Sequence, residues 1–371
     1  LGKQLGGGEP AQPLIGSDHT QAKFTTFYES GRFPSLDVAQ LDPAIAAAAP
    51  EELSIVVTDL YQERQYFENI TDIIRDKLAT IPQGAVGVVG VRSEFNGTVY
   101  TEAETGASSF PVNTSAPEHP FYIVFVGRVD EVSFYMKDLQ QRLSGLNIQD
   151  GAAYTVLSPE RVFRTLPVQQ SKSQAALREK VGSEVSVARN RMQGNSQNVS
   201  LTDDAVQPVE LKRSSQSVVI PHEIELNQIE NAYLPSNLGV AFQTTHKLLN
   251  EVSKDSPWAD PSVENAMQLD VEDVVISPTQ FSFSLNLSPQ DFRNRLHFFA
   301  LDASVVPSAD SESSLAQQDK WAGWSSTSSE ADGRKTHNLD KFLDGLAINT
   351  TEKMRNNNIS VGQYCYLIKA S

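Results

Sequence analysis

The chain has a single cysteine, Cys365, in 371 residues, so neither a disulfide framework nor a cysteine-rich zinc module can be built from it. It contains no run of some 18 apolar residues, so no transmembrane segment is expected. Positive charge is scarce: 30 Lys and Arg stand against 46 Asp and Glu, for a net charge of -16. Duplex nucleic acid and anionic membranes both require a cationic face, so neither is expected as a partner. Catalytic signatures are missing too. Gly323-Trp324-Ser325 continues with Ser326-Thr327, so the second glycine of a serine-nucleophile elbow is absent. No phosphate-binding loop or Gly-x-Gly-x-x-Gly turn follows an apolar run. His222-Glu223 lacks the second histidine of a metalloprotease helix because residue 226 is Leu. The six histidines, His19, His119, His222, His246, His297 and His337, include no i,i+3 or i,i+4 pair, so a histidine metal site would need tertiary contacts.

What is present is an ordinary globular composition, 39% apolar and 20% charged, with length enough for two domains. The first residues, LGKQLGGGEPAQPLIGSDHTQ, show no basic stretch followed by an apolar one, and they begin at Leu1. They read as a flexible segment over 1–34 of a processed or partial chain. An extracellular or cell-envelope location is favoured over a cytoplasmic one. Seven Asn-x-Ser/Thr sequons, at Asn69, Asn96, Asn113, Asn198, Asn286, Asn349 and Asn358, do not establish secretion in so Ser- and Asn-rich a chain.

Residues 35–166 carry a strand-helix-strand rhythm. Leu53 to Asp59 (LSIVVTD), Ala85 to Val91 (AVGVVGV) and Phe121 to Gly127 (FYIVFVG) are short apolar runs that read as strands buried on both faces. Between the first two lies a helical pattern with Phe67, Ile70, Ile73, Ile74, Leu78 and Ile81 on one face. After the third, Asp130 is placed to cap a helix whose apolar face is Val132, Tyr135, Met136, Leu139 and Leu143. Residues 93–120 read as a polar excursion. This grammar predicts an α/β domain with a parallel, Rossmann-like sheet.

In such a sheet ligands sit beyond the carboxyl ends of the strands. Those ends carry Thr58 and Asp59, then Ser93, Glu94 and Asn96, then Arg128 and Asp130. Asp59, Glu94 and Asp130 are therefore candidate ligands for a hard cation such as Mg or Ca, with Thr58, Ser93, Asn96 and Arg128 as rim contacts. Each also has a plainer reading as a cap or turn residue.

The run SIVVTDL (Ser54 to Leu60), the helix after it and GAVGVVGV resemble the second half of a von Willebrand factor A-like domain. FYIVFVGRVDEVSFYMKDLQQRL resembles that family's closing strand and helix. The resemblance covers about residues 53–165 and implies a parallel sheet, with Asp59 in an adhesion-type metal site. The family's Asp-x-Ser-x-Ser loop does not occur; Asp310-Ser311-Glu312-Ser313-Ser314 has Glu at the central serine and lies elsewhere.

Residues 167–217 are dominated by polar side chains and read as a linker or long loop, with one possible helix over 173–187. From Val218 the period changes to two. Phe281, Phe283, Leu285 and Leu287 alternate with Ser282, Ser284 and Asn286, and similar runs precede and follow them. This predicts a β-sandwich-like domain over 218–371, with helices at 238–252 and 339–346. Trp321 and Trp324 are expected to anchor a long loop in the core, and Cys365 to be an inert thiol in the last strand. The expected function is a non-catalytic interaction or structural module within a larger assembly, with a protein partner or homo-oligomer. A metal-dependent hydrolase using Asp59 and a small-molecule binder using the cleft between domains are the alternatives.

Overall fold

The computed structural model describes residues 52–60, 64–103, 106–113, 118–146, 151–164, 206–214, 216–249, 258–292, 295–308, 314–315, 318–326 and 332–371, with short stretches elsewhere. The expected tail over 1–34 and the expected helix over 173–187 fall largely outside these residues. The chain forms two compact units that alternate along it. The first comprises Leu1–Val162, Ile229–Asn237 and Asp310–Asn357; the second comprises Phe163–Gln228, Leu238–Ala309 and Asn358–Ser371.

The first unit is built from β1 (Ser54–Thr58), α1 (Arg64–Leu78), β2 (Gly84–Ser93), β3 (Asn96–Ala103), β4 (Gly106–Asn113), β5 (His119–Arg128), α2 (Val129–Gly145), β6 (Ala152–Leu157) and α3 (Leu339–Asn357). Its four-stranded sheet has the order β1-β5-β2-β6, and every neighbouring pair is antiparallel. This overturns the expected parallel, Rossmann-like or von Willebrand factor A-like domain. β1 and β2 do point the same way, but β5 lies between them and runs against both. The cause is the excursion at 93–120, which is a β3–β4 hairpin. Ser93 pairs with His119, so the chain re-enters the sheet at the end where it left and must run back. A strand buried on both faces looks the same in sequence whichever way it runs, so the apolar runs could not report this.

Two crossovers remain, β1-α1-β2 and β5-α2-β6. Both step the same way across the sheet, but their strands point in opposite directions. If both follow the right-handed rule, their helices must lie on opposite faces, as observed. Val86, Val88, Tyr122, Val124 and Val126 pack with Ile70, Ile74 and Leu78 of α1 and with Leu339, Phe342, Leu343, Leu346 and Ala347 of α3. Ala85, Val89, Val91 and Phe125 pack with Val129, Val132 and Met136 of α2. α3 continues to Asn357, well past the helix expected over 339–346. Its buried residues recur at i, i+3, i+4, i+7 and i+8 as a packed face requires. The expected Asp130 cap is also corrected: Arg128 is the capping position, and Asp130 lies in the first turn.

The second unit is β-rich. Its strands are β7 (Val206–Leu211), β8 (Val218–Glu225), β9 (Leu238–Leu249), β10 (Asp270–Ile276), β11 (Gln280–Leu287), β12 (His297–Pro307) and β13 (Ile359–Ala370). One sheet runs β9-β12-β13-β7, extended at its edges by Trp258–Ala259 and Val185–Ser186; the other runs β8-β11-β10. β7 and β13 are parallel, and the other named neighbours are antiparallel. Rings join the two sheets: Phe281 and Phe283 against Phe242 and Tyr364, and His222 against Tyr366. The expected helix over 238–252 is instead the strand β9, in which Val240, Phe242, Thr244 and His246 alternate with exposed residues. Its β-branched and aromatic content suits a half-buried pleat better than a helix. The expected linker likewise contains β7, whose Val209 and Leu211 are fully buried.

Candidate functional site

The residues expected to share one rim are divided between the two ends of the first unit's sheet. β1 and β2 end at Thr58 and Ser93, where β5 begins at His119. β5 ends at Arg128, opposite Gly84 at the start of β2. Nine residue steps separate the ends of β5, roughly 30 Å at the rise of an extended strand. Asp130 therefore cannot join Asp59 and Glu94 around one ion. The single-rim inference depended on parallel strands and fails with them.

Each residue has a local setting. The Thr58 hydroxyl accepts the Leu60 N–H at 3.0 Å, holding a turn in which buried Leu60 has a φ of 52°. That places Thr58 in a hydroxyl-stabilised turn. Asp59, Glu94, Asn96 and Arg128 are exposed. Ser93 lies within a long 3.5 Å of the His119 carbonyl, and Asp130 pairs with Arg161 at 2.9 Å. Among the described residues, no group of three His, Cys, Asp or Glu is placed to hold a metal ion.

The α1 and α3 face of this sheet is closed. Gly90 leaves space for two indoles: a Cβ there would lie 2.8 Å from Trp324 Cζ3 and 3.0 Å from Trp321 Cζ3. Both tryptophans are core residues, as their pairing in a Ser-rich loop suggested. Trp321 Nε1 donates to Thr155 Oγ1 at 2.7 Å, and the Tyr122 hydroxyl donates to Thr336 Oγ1 at 2.9 Å. Burial pushes the Tyr122 phenol well above its ordinary value, so it stays neutral. Arg92 lies 4.7 Å from the centre of a Trp324 ring, and its guanidinium donates to the Gly323 carbonyl. Between α1 and α3 runs a narrow cleft with a volume of only about 10 Å³, whose lining includes Thr71, Arg75, Leu346, Asn349 and Lys353. Asn349 Nδ2 donates to the Thr71 carbonyl at 3.1 Å and Lys353 Nζ to the Arg75 carbonyl at 2.9 Å. These side chains tie the two helices together, so the cleft is a helix seam more than a ligand cavity.

The α2 face is covered differently. Four strands about 4.8 Å apart span more width than one helix of about 10 Å diameter can cover. Gly87 brings α2 close, because a Cβ there would lie 2.8 Å from Val132 Cγ1 and nearer still to Met136 Sδ. Beyond that contact Phe121, Ile123, Tyr154, Leu139 and Leu143 are only partly buried, and Val57 on the edge strand is 47% exposed. On α2 itself Phe134 is 67% and Tyr135 47% exposed, their rings meeting edge to face at 5.2 Å, and Leu146 just beyond the helix is 67% exposed. Tyr135 was expected in the apolar face and is not buried there. Phe134 escaped the sequence reading; its position 180° from the core side of α2 was the signal available.

Comparison of the chain with known protein families, with curated proteins and with solved structures returned no match in any of the three. Among the described residues, no helix is long and apolar enough to cross a membrane.

Proposed function

We propose that this chain is a non-catalytic interaction module of a larger assembly, and that it docks a different protein on the α2 face of its first unit. The supporting observation is the outer side of α2, where Phe134 and Tyr135 are 67% and 47% exposed with their rings meeting edge to face, and Leu146 just beyond the helix is 67% exposed. Apolar side chains of this kind, flanked along α2 by the charged residues Lys137, Asp138 and Arg142, have the composition of a docking patch. The occupant is a different protein because copies carrying -16 each repel one another. The hydrolase reading loses its support with the dispersal of Asp59, Glu94 and Asp130.

The test compares the wild type with Phe134→Asp as baits, with thermal melts confirming equal stability. A partner retained by the wild type and lost by the variant supports the proposal. A partner held equally by both baits would overturn this face as the docking site. Concentration-dependent dimers in light scattering would replace the partner by a second copy, and Mg- or Ca-dependent turnover of model esters would overturn the non-catalytic reading.

A further inference from the structure

Among the six histidines, His222, His246 and His297 are buried, all in the second unit. Two of them form a chain with a defined proton arrangement. His246 on β9 lies opposite Phe299 on β12, and His297 lies two residues before Phe299, so both rings share the inner face. The two imidazoles lie edge to edge in nearly one plane, 5.2 Å between centroids and within 1° of parallel, with Phe299 stacked on His246 at 4.5 Å. The Met267 N–H donates to His246 Nδ1 at 3.2 Å, so that nitrogen carries no proton. The neutral ring therefore holds its proton on Nε2, which donates to His297 Nδ1 at 3.0 Å. His297 in turn carries its proton on Nε2, an atom that is buried and has no hydrogen-bond partner among the described residues. A metal bridging the two rings would need the His246 proton on Nδ1, facing another N–H, and the geometry forbids that.

We propose that the chain Met267–His246–His297 is an acid-sensitive latch. It holds residues 266–269, the lead-in to β10, against β9 and β12 while both rings are neutral, and releases them when either ring takes up a proton. The reason is stoichiometric: the acceptor nitrogen of each ring is already used. A proton on His246 Nδ1 faces the Met267 N–H, and a proton on His297 Nδ1 faces the His246 Nε2–H, so either one breaks a bond in the chain. The surroundings offer no compensation. Phe292 meets the His297 ring edge-on and Phe299 stacks beside it, while Arg295, just before β12, repels a protonated His297. Lys247 and Asp260 are nearby charges that pair with each other at 3.7 Å. Leu269, buried at the end of the latched segment, leads directly into β10, whose pairing with β11 is already irregular between Glu272 and Val275. Release thus acts on the strand pairing of the small sheet that carries the register shift.

Hydrogen exchange by mass spectrometry at about pH 7.5 and about pH 4.5, corrected for the chemical exchange rate, tests this. Peptides covering 266–276 should lose at least about tenfold in protection at the lower pH, with β2 and β5 peptides unchanged. In His246→Asn, whose amide oxygen takes the place of Nδ1 as acceptor of the Met267 N–H and does not titrate, that loss should shrink to under about twofold. Unchanged protection in the wild type, or the same loss in the variant, overturns the latch. Should the variant fail to fold, nitrogen NMR of the wild type decides: unprotonated Nδ1 on both rings at neutral pH is required, and a protonated Nδ1 on His246 overturns it.

Discussion

Gly87 fixes how closely α2 approaches the sheet, and a double-mutant cycle with Met136 measures that constraint. A Cβ at residue 87 would lie 2.8 Å from Val132 Cγ1 and closer still to Met136 Sδ. Val132 is β-branched and stiff, whereas Met136 is adaptable. Overpacking of this kind costs typically about 1–3 kcal/mol. Replacing glycine within a strand returns about 0.5–1 kcal/mol through the unfolded chain. Gly87→Ala should therefore destabilise by up to about 2.5 kcal/mol. Met136 is buried, and Met136→Ala alone should cost about 2–5 kcal/mol through the cavity it leaves. In the double variant the new methyl occupies part of that cavity, so the pair should be more stable than the sum of the singles by about 1–2 kcal/mol. The assay is equilibrium urea unfolding followed by tryptophan fluorescence, since Trp321 and Trp324 are buried in the same unit. Additivity within about 0.5 kcal/mol, or a Gly87→Ala protein more stable than the wild type, would refute the close-approach argument.

Thr155→Val should leave the buried Trp321 indole N–H without its 2.7 Å acceptor and cost about 1–3 kcal/mol, read as a lowered thermal midpoint, while Thr155→Ser should recover most of it. Stability should also fall with acid. Burial, His246 and Arg295 push His297 down to about 4, while the unfolded chain titrates at the ordinary 6.5. The stability contributed by the neutral ring is therefore complete above pH 6.5 and is lost as pH falls from there toward 4. The loss amounts to about 3 kcal/mol at most, and His246, also lowered by burial, adds in the same direction. Urea midpoints measured across that window should drop for the wild type and drop less for His297→Asn; equal slopes would show that the pair is not responsible.

Much of the local structure was legible because it depends on neighbours in sequence. The apolar runs at Leu53, Ala85 and Phe121 became β1, β2 and β5, and the periodicity at Val132 and Met136 became the buried side of α2. The alternation from Phe281 to Leu287 became β11, whose apolar residues are all buried. The failures came where one residue pattern serves two conformations. Residues 238–249 combine apolar and polar positions compatible with either period, and pairing with β12 along the whole length selected the strand. The candidate metal residues failed for a related reason. Polar residues at strand ends are easily read, but which end of the sheet each one occupies depends on strand direction, and no side chain encodes that.

By itself the sequence determined what the segments want: which runs must be buried, where turns fall, and that a single thiol excludes a disulfide framework. Only the tertiary structure decided that β5 enters between β1 and β2 in the opposite sense, because its pairing partner is chosen by the hairpin that returns the chain to Ser93. Only it decided that residues 310–357 return to the first unit, and that two histidines 51 positions apart share a proton chain. Burial preference is a property of each residue and survives in the sequence. Pairing is a property of two distant segments, and it exists only once the chain has brought them together.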